Sequence, residues 1–265
     1  MKTAAVLVTY NREACLHKAL ECYDKQIRQP DLLLVVDNAS TDGTSEFLDQ
    51  WQKEPHKYHV RVLHMHSNTG GAGGFAAGLE FLNESDYDWA LVADDDAYAE
   101  PDVLEKLCVA AQEHPDASAV CSSVINEDQI DTRHRSSWRV SPLRAKAVSI
   151  PEEMYSKKEI KVDILTFVGA FINISVSRQI GIPEENFFIY YDDMEYSLRL
   201  LAKGSIYLIP DARMHHNTGF TDPGSREIGE TAWKSYYGVR NQLVTWHRYA
   251  PAIPYYVELV LIYIK

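Results

Sequence analysis

Two groups of acids have the residue types and spacing to do chemistry. The first is Asp94-Asp95-Asp96, within A-L-V-A-D-D-D-A-Y-A-E-P (Ala90 to Pro101). Three adjacent carboxylates repel one another, so an arrangement that keeps them together needs a compensating positive charge. Hard oxygen ligands of this kind suit Mg²⁺ or Mn²⁺, and such an ion commonly bridges to substrate phosphates. The alternative is a solvated acidic turn. The second group, Asp192-Asp193-Met194-Glu195, stands behind the aromatic run Phe187-Phe188-Ile189-Tyr190-Tyr191, which reads as an approach strand. Met194, Leu198 and Leu201 recur at helical spacing, so a helix begins at the aspartates and runs to a C-cap at Gly204. Acids at a helix N-terminus are favoured by its dipole whatever else they do. A carboxylate delivered there stays ionised and can accept a proton from a hydroxyl. The pair His215-His216 follows a strand over Ile206 to Ile209. An imidazole near the triple aspartate completes a mixed oxygen and nitrogen site suited to Mn²⁺; two surface histidines are the alternative.

These residues need a scaffold. The apolar run Trp89 to Ala93 reads as a buried strand ending in the acids, and Glu100-Pro101-Asp102 starts a helix with proline at a first helical position. Upstream, Ala4 to Val8, Leu32 to Val36 and Arg61 to His64 are strands, and Glu13 to Tyr23, Ser45 to Trp51 and Phe75 to Leu82 are helices. Such alternation predicts βαβ units and a parallel sheet. Right-handed connections gather the polar loops after these strands, at Asn11, Asp37 and Asn68, along one edge. That edge is where ligands bind in open α/β sheets. The glycine run Gly70-Gly71-Ala72-Gly73-Gly74 matches no phosphate-binding signature and carries no lysine, so alone it predicts a tight loop. Val103 to His114 is an amphipathic helix and Ser118 to Ile125 a strand. Residues 126–162 form a polar excursion that could carry acceptor contacts. Thr166 to Ile174 is apolar with an embedded glycine, where backbone approaches a ligand closely.

At 265 residues the chain can build one large α/β domain or two small ones. A net charge of -12 without a basic tract argues against nucleic-acid binding. It would also repel a phosphorylated substrate unless a cation mediates, which favours a metal. The four cysteines show no metal-type spacing, as expected of reduced thiols in a cytoplasmic protein. The N-terminal apolar run is too short for a signal peptide, and no stretch approaches the ~20 apolar residues of a membrane span. Arg226 to Tyr249 is aromatic and helical in spacing, Pro251 and Pro254 interrupt it, and Tyr255 to Ile264 is apolar except for Glu258. Tyrosine and tryptophan belts suit membrane interfaces. A lipid-linked acceptor at the inner face of the plasma membrane would account for this tail. A helix packed on the domain or across a homo-oligomer interface is the alternative.

Taken together, V-T-Y-N-R (Val8 to Arg12), V-V-D-N-A-S-T-D-G-T (Val35 to Thr44), N-T-G-G-A-G-G-F (Asn68 to Phe75), D-D-D, Y-D-D-M-E-Y-S-L-R (Tyr191 to Arg199) and D-A-R-M-H-H (Asp211 to His216) resemble a family 2 glycosyltransferase with the GT-A fold. Within that family the chain looks like bacterial rhamnosyl- and galactofuranosyltransferases. The resemblance implies an α/β catalytic domain over residues 1–222, with a mostly parallel central sheet flanked by helices. Residues 1–100 would be its nucleotide-binding half, residues 101–222 its acceptor and catalytic half, and residues 223–265 a helical tail. It implies that Thr9 and Tyr10 line the base pocket, that Asp37 accepts from the base N3-H, and that Asn68 and the glycines, Gly73 among them, lie against ribose and pyrophosphate. Asn11, Arg12, Asn38, Asp94 and Asp95 belong to the same nucleotide-sugar set. Asp94, Asp96 and His216 would hold Mn²⁺ or Mg²⁺, His216 aligning better than His215. Asp193 would be the catalytic base, with Asp192 and Glu195 as supporting acids. Many relatives carry arginine where Ala77 stands here, which leaves the pyrophosphate more dependent on the metal. The implied activity is inverting, metal-dependent transfer from a UDP- or dTDP-linked sugar to a glycan or lipid-linked acceptor in cell-surface polysaccharide synthesis. A sugar nucleotidyltransferase would need a basic phosphate loop near the N-terminus, for which V-T-Y-N-R is a poor substitute. A non-catalytic nucleotide-sugar binder or scaffold has no need of Asp193 beside an intact D-x-D.

Overall fold

The computed structural model describes residues 1–216 and 228–264; the expected boundary between residues 222 and 223 and the expected helix start at Arg226 lie outside the described residues. Aliphatic runs with no polar face become strands covered on both sides. Thus β1 (Thr3–Thr9) and β2 (Leu32–Asp37) are buried at every position. They alternate with α1 (Glu13–Asp24) and α2 (Thr44–Trp51), and β3 (His59–His64), α3 (Gly70–Asn83) and β4 (Trp89–Asp94) continue the pattern. A short β5 (Ala97–Ala99) separates the acids from α4 (Val103–Glu113), so Pro101 precedes that helix instead of opening it. Next come β6 (Ala117–Asn126), β7 (Gln129–Ile130), β8 (Arg135–Val140), β9 (Ala145–Ser149), β10 (Ile160–Val162), β11 (Ile164–Leu165) and β12 (Ala170–Asn173). The chain then forms α5 (Ile174–Ile180), α6 (Asp192–Leu201), β13 (Ser205–His216), α7 (Ile228–Tyr249) and α8 (Ala252–Ile264).

The main sheet runs β10-β13-β6-β12-β4-β1-β2-β3, with β5 paired to β13 and β7 to β6. Parallel pairing joins β4, β1, β2 and β3, and also β6 and β13, while β12 lies antiparallel between β4 and β6. The expected α/β architecture with a mostly parallel sheet is therefore present. Residues 126–162 are not structureless: β8 and β9, with β11, form a second three-stranded sheet.

Three glycine readings change. The run at Gly70 is the first turns of α3 and not a loop. A Cβ on Gly74 would lie 2.5 Å from Val8 Cγ1, and one on Gly78 would collide with Val6, so these glycines let α3 press onto β1. Gly169, with φ 73°, leaves no room between Ser122 and Met214, a packing role and not a ligand approach. Gly204 is not a left-handed cap: α6 ends at Leu201, and a Cβ on Gly204 would stand 2.5 Å from Asp116 O. The stretch from Phe187 to Tyr191 is also no strand, because Phe188, Tyr190 and Tyr191 have φ of 64°, 66° and 69°. The tail divides into two helices. Trp246 of α7 is buried, edge-on to Trp138 and Tyr191, and its Nε1 donates to Ala145 O at 2.8 Å. Among the described residues no helix is long and apolar enough to cross a membrane.

Candidate active site

Parallel pairing aligns the carboxyl ends of four strands. Thr9 stands beside Asp37, Asp37 beside His64, and Val8 beside Asp94. Asp95 and Asp96 form the turn just beyond. Asp95 faces β1, where its Oδ2 accepts from the Thr9 hydroxyl at 2.6 Å. Asp96 lies between a guanidinium and an imidazole: Arg12 Nη1 is 2.6 Å from Oδ2, and His216 Nε2 is 3.2 Å from Oδ1. Arg12 therefore supplies part of the compensating charge that adjacent acids require. Antiparallel pairing of β13 with β5 sets His216 opposite Ala97. Alternation along the strand turns His215 the other way, where its Nε2 meets Glu100 at 3.0 Å.

Asp94, Asp96 and His216 offer ligand atoms that all lie within 4.8 Å of one another. Oδ1 of Asp96 is buried without a hydrogen bond of good geometry. Two hard carboxylates and one imidazole suit Mn²⁺ or Mg²⁺. Burial, reinforced by the charges of Asp96 and Asp95, pushes Asp94 up to about 7. Burial likewise raises Asp95 to about 6, against the Thr9 hydrogen bond and Arg12. At Asp96 the upward push of burial is outweighed by His216 and Arg12, and its carboxyl falls below the usual range.

Asp192 and Asp193, at the start of α6, share with Asp94, Asp96 and His216 a cavity of about 820 Å³. Burial and the neighbouring Asp193 raise Asp192 well above the usual carboxylate range. Burial raises Asp193 to about 6. The Arg135 side chain is wholly buried and makes no ion pair among the described residues. Its Nε, Nη1 and Nη2 donate to the carbonyls of Ser122, His134 and Val168 at 2.9, 2.8 and 2.6 Å. Its charge opposes the rise at Asp193.

A second cavity of about 600 Å³ shares Arg12, Gly71, Asp94 and Ile189 with the first. Thr9, Tyr10, Asn38, Asn68 and Asp95, all assigned from the sequence to the nucleotide-sugar set, come together in its lining. Gly70 and Gly71 face it, while Gly73 packs on Thr69 inside α3. Asn11 is a tether: its Oδ1 accepts from Thr41 N at 2.6 Å. Asp37 is fully buried behind the lining and receives Ser40 N at 3.0 Å, the Ser45 hydroxyl and His64 Nδ1 at 2.9 Å. Glu195 lines neither cavity. Its carboxylate is buried between Arg199 at 2.7 Å, Arg248 at 3.2 Å and the Tyr249 hydroxyl at 2.7 Å, which fastens α7 to α6. Sequence reading missed Arg133 and His134, which line the larger cavity from the polar excursion. It also missed Trp233, Lys234 and Tyr237, which line the smaller one from α7. The aromatic spacing of α7 was visible but equally suits a membrane belt.

Residues 4–181 match the family described as glycosyl transferase family 2. Over 208 residues the chain is 32% identical to galactofuranosyltransferase GlfT1 of Mycobacterium tuberculosis, covering 76% of this chain and 64% of that protein's length. Over 245 residues it is 25% identical to N-acetylglucosaminyl-diphospho-decaprenol L-rhamnosyltransferase of the same species, covering 83% and 78%. Its fold is similar to that of GalNAc-T7, crystallised with UDP, GalNAc and Mn²⁺, at a TM-score of 0.65 and 16% identity over 82% of this chain and 44% of that one. The S. aureus TarS 1-349 complex with UDP aligns at a TM-score of 0.59 and 16% identity, over 82% and 60%. The fold is GT-A, and the chain belongs to glycosyl transferase family 2.

Proposed function

We propose that the chain is an inverting glycosyltransferase that uses a UDP- or dTDP-linked sugar. The observation that carries this reading is the shared cavity of about 820 Å³, in which Asp94, Asp96 and His216 face Asp192 and Asp193. The nucleotide occupies the adjoining cavity beside Thr9, Tyr10, Asn38 and Asn68. Asp94, Asp96 and His216 would hold Mn²⁺ or Mg²⁺, which when bound neutralises charge on the diphosphate. Lys234 adds a cation to the nucleotide cavity, which the lysine-free glycine run does not. Asp193 takes the proton of an acceptor hydroxyl. The acceptor oxygen then bonds to the anomeric carbon opposite the bond to the diphosphate, which leaves with that electron pair. Buried and raised, Asp193 is a stronger base than a solvated carboxylate and is still ionised at neutral pH.

The acceptor side is formed by Arg133 and His134 of the excursion together with Asp192, consistent with a glycan or lipid-linked glycan. Residues 1–100 serve the nucleotide and residues 101–222 the acceptor, but α7 belongs to the site as much as either half. The exposed apolar side chains of α8, Ile253, Tyr256, Val260 and Tyr263, are the surface offered to the inner face of the plasma membrane. Flotation with liposomes should be lost when residues after Ala250 are removed; equal flotation of both forms removes the membrane from the account. The function itself is tested by thermal stabilisation with UDP and dTDP, with and without Mn²⁺, followed by turnover of a donor panel. Metal-enhanced binding with turnover is expected. Binding without turnover of any donor, even with acceptor extracts, favours a scaffold.

A further inference from the structure

The helix bearing Asp192 and Asp193 is reached through unusual backbone. Phe188, Tyr190 and Tyr191 all adopt positive φ, although none is glycine. Such backbone is strained for a residue with a side chain and persists only where its surroundings over-determine it. Here the over-determining contact comes from α7. Asn241 is fully buried, and its Nδ2 lies 2.9 Å from each of the carbonyls of Phe187, Ile189 and Tyr190. Two N–H groups serve three carbonyls, so one is shared. The amide orientation is dictated by chemistry, since three acceptors cannot face Oδ1. Oδ1 instead accepts from Arg240 Nε at 2.9 Å, and Arg240 Nη2 donates to the carbonyls of Asn186 and Phe187. The turn held in this way is also seated on the nucleotide side, because Phe188 O accepts from Ala72 N at 3.2 Å and would collide with any side chain at Gly70.

We propose that Asn241 is a positioning residue for sugar transfer: it latches the left-handed turn over residues 187–191 so that Asp192 and Asp193 stand at the cavity wall, with Arg240 as the outer half of the latch. This rests on the transferase function proposed above. Space filling alone does not explain the arrangement, because an apolar side chain would take from the carbonyls of Ile189 and Tyr190 the donor that Asn241 supplies.

The test compares Asn241→Asp, nearly isosteric but with acceptors in place of donors, with Asn241→Ala. Gln242→Ala on the same helix, whose amide reaches Glu258 of α8 at 3.0 Å, is the control. Nucleotide release from a panel of UDP- and dTDP-linked hexoses is measured for kcat and KM separately, beside stabilisation by UDP. Misplacement of a catalytic group by about 1 Å costs on the order of 100-fold, so both Asn241 variants should lose about that factor in kcat. Donor KM should stay within about threefold and Gln242→Ala should match wild type. An Asn241 variant that keeps its kcat, or loses only KM, overturns the proposal. If these variants do not fold, Arg240→Ala should lower kcat about tenfold at unchanged KM, and an unchanged kcat overturns the latch. Wild-type protein that neither binds UDP or dTDP nor releases nucleotide refutes the transferase function itself, which a failed latch would not.

Discussion

Nε2 of His216, the last residue of β13, lies 3.2 Å from Oδ1 of Asp96 in the turn after β4, while Arg12 holds the other oxygen at 2.6 Å. One carboxylate is thus placed between a guanidinium that never loses its proton and an imidazole that can. Burial lowers the proton affinity of His216, but Asp96 and Asp94 outweigh it, so His216 titrates above its ordinary value. Asp94 reaches the same point from the end of β4, and the three side chains make a ligand set only because β13 returns beside β5.

Asp96→Ala and His216→Ala should therefore act alike. Each should weaken Mn²⁺-dependent UDP binding by at least the 10–100-fold typical of losing an outer-shell partner. Calorimetric titration of UDP with and without Mn²⁺ measures this. His215→Ala, a change at a histidine turned toward Glu100, should leave the metal dependence intact; a metal response lost in His215→Ala but kept in His216→Ala would reverse the assignment.

The pH profile follows from Asp193. Its carboxyl is raised from 3.8 to about 6 by burial, and a general base works only when deprotonated. Turnover should hence be level above about pH 6 and fall about tenfold per unit below it. Arg135 opposes the rise, so Arg135→Met should move the acid limb to higher pH. A limb near pH 4 in the wild-type enzyme would show that Asp193 is not the titrating base.

Glu195 should matter to stability and not to the reaction. Removing it in Glu195→Ala leaves Arg199 with the carbonyls of Ile180 and Ile182 and leaves Arg248 and Tyr249 without their shared acceptor. Breaking a buried pair costs about 3 kcal/mol, read as a lower Tm and a lower denaturation midpoint. The acid limb of the pH profile should not move, and a shifted limb at unchanged Tm would return Glu195 to the catalytic set.

Much of this was legible in the chain. Aliphatic runs ending in polar residues disclose β1, β2 and β4 and the edge where they end, because burial on both faces leaves no other use for Leu32 to Val36. The acids and His216 were legible as residue types. What escaped was set by tertiary contact. Glycines read as a loop until Val6 and Val8 are seen pressing on α3. The aromatic run before Asp192 has strand composition, yet Asn241 bends it into a left-handed turn from more than one element away. Glu195 looks like its neighbours in sequence, and only the side of α6 on which Arg199 and Arg248 stand assigns it to the scaffold.

The central claim is that Asp193 takes the acceptor's proton, and the most direct measurement is transfer by Asp193→Asn with nucleotide binding measured on the same sample. The account predicts a loss of about 10²–10⁴-fold in turnover with UDP or dTDP affinity retained. Undiminished turnover, or loss of turnover together with nucleotide binding, would contradict it.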